Sequence, residues 1–410
     1  MKYLKKFSLF ESASDLTPSQ RSFLNMGTHS GTGTWSLNPQ TGLIDVDGDF
    51  MISDSKKKVL PVSFGVVTGD FIVFDIVNNL TSLKGAPQEV GGNFVCNDNK
   101  LTSLNGAPRK VGGNFHCYSN KLISLEGAPQ SVGGDFNCYN NKLASLKGSP
   151  QEVGGTFYCS DNELTSLEGA PLEVEGFFDC SRNRLTSLVG APRRIGRHFD
   201  CGGNQLTSLT GAPQEVGWDF DCHNNKITSL AGSPTEVGGK FDCSGNKLTS
   251  LEGAPQSVGG DFNCYNNKLV SLKGSPQKIG GGFHCSNNLL TSLEGAPLEV
   301  EGNFACHGNP FDSMEGAPLK IGGLFGYDNH INRIKWNLKG WIDSFRISPR
   351  LFSEFLLDRV QEIDVKDLRP FITPEIMIML KKNSPEGFNI VSKKIGDGAS
   401  TLADLGELGF

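Results

Sequence analysis

Residues 133–146 read Gly133-Gly134-Asp135-Phe136-Asn137-Cys138-Tyr139-Asn140-Asn141-Lys142-Leu143-Ala144-Ser145-Leu146. The alternation of Phe136 and Cys138 has the period of a strand, so both side chains point to one side and Asn137 to the other. Leu143 and Leu146 bring two more apolar groups inward as the chain turns. A segment this short cannot bury its own apolar side and needs copies of itself stacked against it.

The chain supplies those copies. Its eleven cysteines, from Cys96 to Cys306, recur at intervals of 21 residues. A Phe stands two residues before each, from Phe94 to Phe304, and an Asn three after, from Asn99 to Asn309. Leu, Ile or Phe follows at plus five, and Leu or Met at plus eight. Gly-Ala-Pro or Gly-Ser-Pro then breaks the strand and starts a return leg. Val or Ile anchors that leg, and a Gly-Gly pair usually makes the next corner. Stacked at about 4.8 Å per strand, the units from Ile76 to Tyr327 predict a rod or shallow arc on the order of 55 Å long. The fold class expected is an α/β solenoid of stacked parallel short strands, with mostly irregular return legs and a helical C-terminal cap.

Composition agrees. Of 410 residues 51 are Gly, without the every-third spacing of collagen, and 27 Phe with dense Leu can build a core. No apolar run is long enough to cross a membrane as a helix. A net charge of -6 argues against bulk nucleic-acid binding.

The unit resembles the leucine-rich repeat. The family pattern L-x-x-L-x-L-x-x-N-x-L-x-x-L maps onto Gly133 to Leu146, with Gly at the opening position and Phe at the first strand Leu. The short period and Pro-containing return are similar to the short bacterial effector class. The resemblance implies a right-handed solenoid in which the Asn ladder hydrogen-bonds the backbone of neighbouring turns, and a protein-binding concave face. A second resemblance, to uncharacterised tailed-phage proteins, rests on the F-x-C-x-x-N repeats following a Lys-rich start and a W-x-L-N-P-Q-T-G segment (Trp35 to Gly42). Effector repeats are sometimes fused to a Cys-dependent ligase; every Cys here lies in the repeats, so that nucleophile is missing.

The ends depart from the unit. Phe50 and Phe71 open degenerate rungs, with two extra residues before Asn78. Trp35–Leu37 and Leu43–Val46 read as a hairpin, and Thr17-Pro18 as the start of a helix to about Asn25. The domains expected are a cap over 1–49, the solenoid over 50–336, a helical cap or docking module over 337–382 and a Gly/Ser-rich tail over 383–410. Ser124–Leu143 and Ser250–Leu269 are identical over 20 residues at an offset of 126, a block duplication that shows unit number can change.

Stacked cysteines point the same way along a line, which suits neither tetrahedral zinc nor a disulfide. They read as small buried hydrophobes in a reducing compartment, the cytoplasm or, for a phage protein, the host cytoplasm; a virion location is the alternative. Asp45-Val46-Asp47-Gly48-Asp49 begins like a calcium loop but lacks its Gly and closing Glu, so it reads as the opening of a strand. No nucleotide, zinc-protease or hydrolase motif occurs. No enzyme activity, cofactor or metal is therefore expected.

The outward strand positions carry the functional reading. Before successive cysteines they hold His116, Tyr158, Asp179, Asp200, Asp221, Asp242 and His284 among others; Asp219 and Asp261 lie upstream on the same face. After the cysteines come Tyr118, Tyr139, His223 and Tyr265. Four consecutive Asp in one column would be like charges in register, which is destabilising. Either this is a solvated face that prevents aggregation, or it binds a basic partner, a divalent cation or a polyhydroxyl ligand. The expected function is a non-enzymatic protein-binding scaffold. The alternative is a phage virion protein contacting a host glycan or another virion protein.

Overall fold

Each coil carries two short strands, and each strand pairs in parallel with its copy in the next coil. The computed structural model describes residues 15–52, 58–73, 80–311, 316–318 and 320–326, with isolated positions beyond 380. The helical segment expected over 337–382, most of the tail, the Tyr327 rung and the insertion before Asn78 lie outside the described residues. The chain divides into two units, residues 1–247 and 248–410.

In the first unit, one ladder starts at Phe50–Ile52 and Phe71–Val73 and continues through Phe94–Val95 to Phe241–Asp242. Phe meets Phe in register at every step, as in Phe136 opposite Phe157 and Phe199 opposite Phe220. The return legs add a second ladder, which the expectation of irregular legs missed. Ile44–Asp47 pairs in parallel with Phe64–Val67, which pairs with Glu89–Val90, and the series runs on through Ser131–Val132 to Glu152–Val153. Val90 and its equivalents point inward while backbone groups of the leg pair between coils, and a separate ladder of the same kind begins at Glu173–Val174. Ile44–Asp47 is thus the first parallel member of this ladder. The second unit repeats the plan, with Phe262–Asn263, Phe283–His284, Phe304–Ala305 and Phe325–Gly326 in one ladder.

The core is a column of phenylalanine rings. Their centroids lie from 5.1 Å (Phe94 to Phe115) to 6.0 Å (Phe178 to Phe199) apart, with planes close to parallel. None of the eleven cysteines is in a disulfide, and all are buried. Burial pushes the Cys117, Cys159 and Cys201 thiols well above their ordinary value, with neighbouring thiols adding to the effect. Truncating one of the rings is worth about 3–5 kcal/mol by core precedent.

The asparagine after each cysteine holds the turn together. The Asn120 side-chain oxygen accepts the Leu101 N–H at 2.9 Å, and its Nδ2 donates to the carbonyls of Cys96, Cys117 and Tyr118, each at 3.1 Å. Buried turn carbonyls need such donors, and Asn141, Asn162 and Asn183 repeat the pattern. To deliver the Asn inward, the residue just before it adopts a left-handed conformation. That residue is Asn140, Asp161 and Asn224 in three coils and Arg182 in another, with φ from 51° to 53°.

The N-terminal end is closed by a helix, Pro18–Gly31, that starts with a Thr17/Gln20 capping box. It extends past the end expected near Asn25, because Gly27 and Gly31 let it lie directly on the first coil. A Cβ at Gly27 would meet the Phe50 ring at 2.2 Å, and one at Gly31 would meet the Asp49 carbonyl at 2.5 Å. Packing here outweighs the poor helix propensity of glycine. Thr34–Leu37 pairs antiparallel with Ile44–Asp47 beside it. Among the described residues no helix is long and apolar enough to cross a membrane.

Candidate functional site

A second polar ladder runs just upstream of the phenylalanines. The side-chain oxygen of Asp70 accepts the Asn93 N–H at 2.7 Å, Asn93 accepts from Asn114, Asn114 from Asp135, Asp135 from Thr156, and Thr156 from Phe177. This oxygen occupies the space beside the second glycine of the following corner. A Cβ at Gly134 would lie 2.1 Å from the Asn114 oxygen, at Gly155 2.2 Å from Asp135 and at Gly239 2.2 Å from Asp219. Glycine there is required by the ladder, not only by the turn.

The ladder stops at Phe177 and His198, whose side chains offer the backbone no such oxygen. At the two corners that follow, glycine is replaced by Arg197 and Trp218. The released positions form a cluster. Phe177 meets the His198 ring edge-on at 4.3 Å, His198 meets Trp218 at 5.4 Å, and the Arg197 guanidinium lies 5.3 Å from the centre of the indole. Trp218 is 52% exposed, the large apolar surface of the group. His198 Nδ1 bonds Asp219 Oδ2 at 2.8 Å, and Asp219 Oδ1 accepts the Lys240 N–H at 2.7 Å, so the ladder restarts there.

Beside this cluster stands the carboxylate column. Asp179 is in register with Asp200, Asp200 with Asp221, and Asp221 with Asp242. In each, one oxygen closes an Asx turn onto the N–H two residues on: Asp179 with Ser181 at 3.0 Å, Asp200 with Gly202 at 2.8 Å, Asp221 with His223 at 3.0 Å and Asp242 with Ser244 at 2.9 Å. Asn137 does the same for Tyr139 at 3.1 Å. Burial, then the neighbouring Asp221 and Asp179 charges, push the Asp200 carboxyl up to about 6, against the lowering by the Gly202 N–H and His223. Gly202 makes room for His223: a Cβ there would fall 2.4 Å from its ring.

The four aspartates of the column differ in exposure and in partners. Asp242 is only 4% exposed, and its second oxygen holds the Lys240 ammonium at 2.6 Å. Lys240 lies two residues earlier on the same strand face, so one charge of the column is neutralised from within its own coil. Asp179, Asp200 and Asp221 have second oxygens with no partner among the described residues. They line a cavity of about 270 Å³ together with Tyr158, Phe177, His198, Asp219 and Lys240.

Asp200, Asp221 and His223 bring one potential metal-ligand atom each within 4.8 Å of one another. His223 Nδ1 is turned onto Asp221, however, and a cation would have to displace that bond.

The other expected site residues fall elsewhere. Tyr118 and Tyr139, earlier in the first unit, stack at 5.0 Å, and His116 meets Tyr118 edge-on at 6.0 Å. The His116 Nδ1 is buried without a hydrogen-bond partner, and burial lowers the pKa of the ring. Asp261, Tyr265 and His284 belong to the second unit; Asp261 is a ladder residue, accepting the Gly282 N–H at 2.6 Å. At the other end of the chain the Asp45, Asp47 and Asp49 carboxylates accept from Val66, Thr68 and Asp70, one coil on. The sequence reading missed Phe177, Arg197, His198, Trp218 and Lys240. The signal for Arg197 and Trp218 was present as the breach of the Gly-Gly corner.

No protein-family model matches the chain, and no curated protein matches its sequence. Among solved structures, YopM, a leucine-rich effector protein from Yersinia pestis, aligns at 17% identity with a TM-score of 0.35, covering 58% of this chain and 83% of the other. YopM from Yersinia enterocolitica WA-314 aligns at 16% identity with a TM-score of 0.28, covering 68% and 81%. Superpositions this loose carry no argument about function. The period, the paired strands, the inward leucines and the asparagine ladder make this a solenoid of leucine-rich-repeat type.

Proposed function

We propose that the chain is a non-enzymatic protein-binding scaffold whose contact surface is the phenylalanine-strand face of the first unit between Tyr158 and Asp242. One observation carries this reading. At Phe177 and His198 the coil gives up a backbone hydrogen bond that the coils from Asp70 to Thr156 keep, and the result is an exposed Trp218 with Arg197, set beside carboxylate oxygens that have no partner among the described residues. Departures from an otherwise consistent local rule mark functional positions, and Trp, Arg and Tyr are the residues that anchor protein interfaces. The buried, unionised thiols offer no accessible nucleophile, which favours binding over catalysis.

A second reading, a phage virion protein that holds a host glycan, is favoured by the stacked pair of Tyr118 and Tyr139. Affinity capture from the natural host, with the wild type and a Trp218→Gly, Tyr158→Ala variant, separates the two. A host protein retained by the wild type and lost by the variant supports the scaffold. Tight binding on a glycan array that is lost in Tyr118→Ala and kept in the first variant supports the second reading instead.

A further inference from the structure

We propose that the cavity lined by Tyr158, Phe177, Asp179, Asp200 and Asp221 is a socket for an arginine side chain of the protein partner, an inference that rests on the scaffold reading and names what its surface takes. A volume of about 270 Å³ is below the ~300–1,000 Å³ of small-molecule sites, and suits one long side chain. Its lining includes Asp179, Asp200, Asp219 and Asp221, and the first, second and fourth of these are fixed in advance. Each Asx turn spends one carboxylate oxygen on the backbone, and the other has no partner among the described residues. A group that enters has little ordering to impose.

The spacing favours a guanidinium. Neighbouring carboxylates stand one strand apart, about 4.8 Å, and a planar fork with donors on several edges can engage two of them at once. An ammonium is a single, strongly hydrated point. The walls add to this, because Tyr158 and Phe177 offer aromatic surface on which a guanidinium stacks. The lysine at the rim does not fill the role: Lys240 is held by Asp242 at 2.6 Å. His198 is likewise committed to Asp219 at 2.8 Å. The column therefore keeps like charges in direct register, a cost that an incoming cation relieves.

The test uses the full chain and three synthetic peptides, acetyl-Gly-Arg-Gly-Arg-Gly-amide and its lysine and citrulline counterparts, titrated by calorimetry. The arginine peptide is expected to bind at least tenfold more tightly than the citrulline peptide, which keeps the shape and loses the charge, and several-fold more tightly than the lysine peptide. Binding should weaken from 50 to 300 mM NaCl. Asp200→Asn should weaken it about tenfold, whereas Glu236→Gln, the same charge change on the return leg, should not. Asn at position 200 keeps the Asx turn, as Asn137 does in its own coil, and an unchanged circular dichroism spectrum would verify that the variant is folded.

Equal affinity for the citrulline peptide, or an unchanged affinity in Asp200→Asn, overturns the socket. So does displacement of the arginine peptide by micromolar Zn²⁺ or Ca²⁺, which would make Asp200, Asp221 and His223 a metal site. The scaffold reading fails separately. If a photo-crosslinker at position 158 captures no host protein, the surface is not a protein contact, whatever the peptides do.

Discussion

The imidazole of His198 meets the indole of Trp218 edge-on at 5.4 Å, in a corner where the next coil, at Gly239, has room only for glycine. The two residues are conditional on each other. An Asx at 198 would place its oxygen where the Trp218 Cβ stands.

That dependence can be measured as a double-mutant cycle. His198→Asn alone should restore the ladder acceptor but clash with Trp218, costing about 1–3 kcal/mol. Adding Trp218→Gly should recover most of the loss, so that the pair departs from additivity by about 1 kcal/mol or more in urea unfolding. Additive effects would mean that the correlation between ladder and corner is accidental.

Asp200 makes stability depend on pH. Its carboxyl is raised from 3.8 to about 6, facing Asp179, Asp221 and His223, so between those values the folded chain holds more protons than the unfolded one. The group's contribution is fully present below the unfolded pKa and is lost as pH rises through about 6. Asp200→Asn should therefore stabilise the chain by about 1–3 kcal/mol at pH 7 and by little near pH 3.5. A variant no more stable than the parent at pH 7 would contradict the burial and charge crowding assigned to this group.

Arg182 is an arginine in the left-handed position, φ 51°, that other coils give to Asn, Asp, Ser or Gly. Its ion pair with Asp161, 3.4 Å, is exposed on both sides and worth at most about 1 kcal/mol. Replacing it by Gly removes roughly 1–2 kcal/mol of backbone strain, partly offset by that loss and by the entropy of Gly. A modest rise in thermal midpoint is expected; a clear fall would show that the Arg182 side chain does more than tolerate its turn.

The cysteine column should behave as packing. Cys201→Ala should cost less than Phe199→Ala, for which about 3–5 kcal/mol is expected. In the native chain, Cys201 and the thiols beside it should resist a disulfide reagent until the chain unfolds, since burial disfavours the thiolate. Fast labelling of the folded protein, or an equal cost for the two truncations, would count against this role.

Much of this was legible in the sequence. The 21-residue period located the inward Phe, Cys, Leu and Asn of each coil, because a fixed period places the same residue in the same environment every time. What resisted reading depends on the adjacent coil. That Gly155 answers to the oxygen of Asp135 is invisible until two coils are stacked. Asp242 looked like its three neighbours along the column, yet Lys240, two places back in the same strand, neutralises it. The helix beyond Asn25 runs through Gly27 and Gly31, which local propensity counts against and tertiary packing requires.

The central claim is that the strand face of the first unit, around Tyr158, is where a protein partner sits. The most direct measurement is site-specific photo-crosslinking in extract of the natural host, with benzoylphenylalanine at position 158 on the strand face or at exposed position 214 on the return leg. The account expects a discrete crosslinked protein from position 158, abolished by Trp218→Gly with Asp200→Asn, and none from position 214. The same adduct from both positions, or one from position 214 alone, would contradict it.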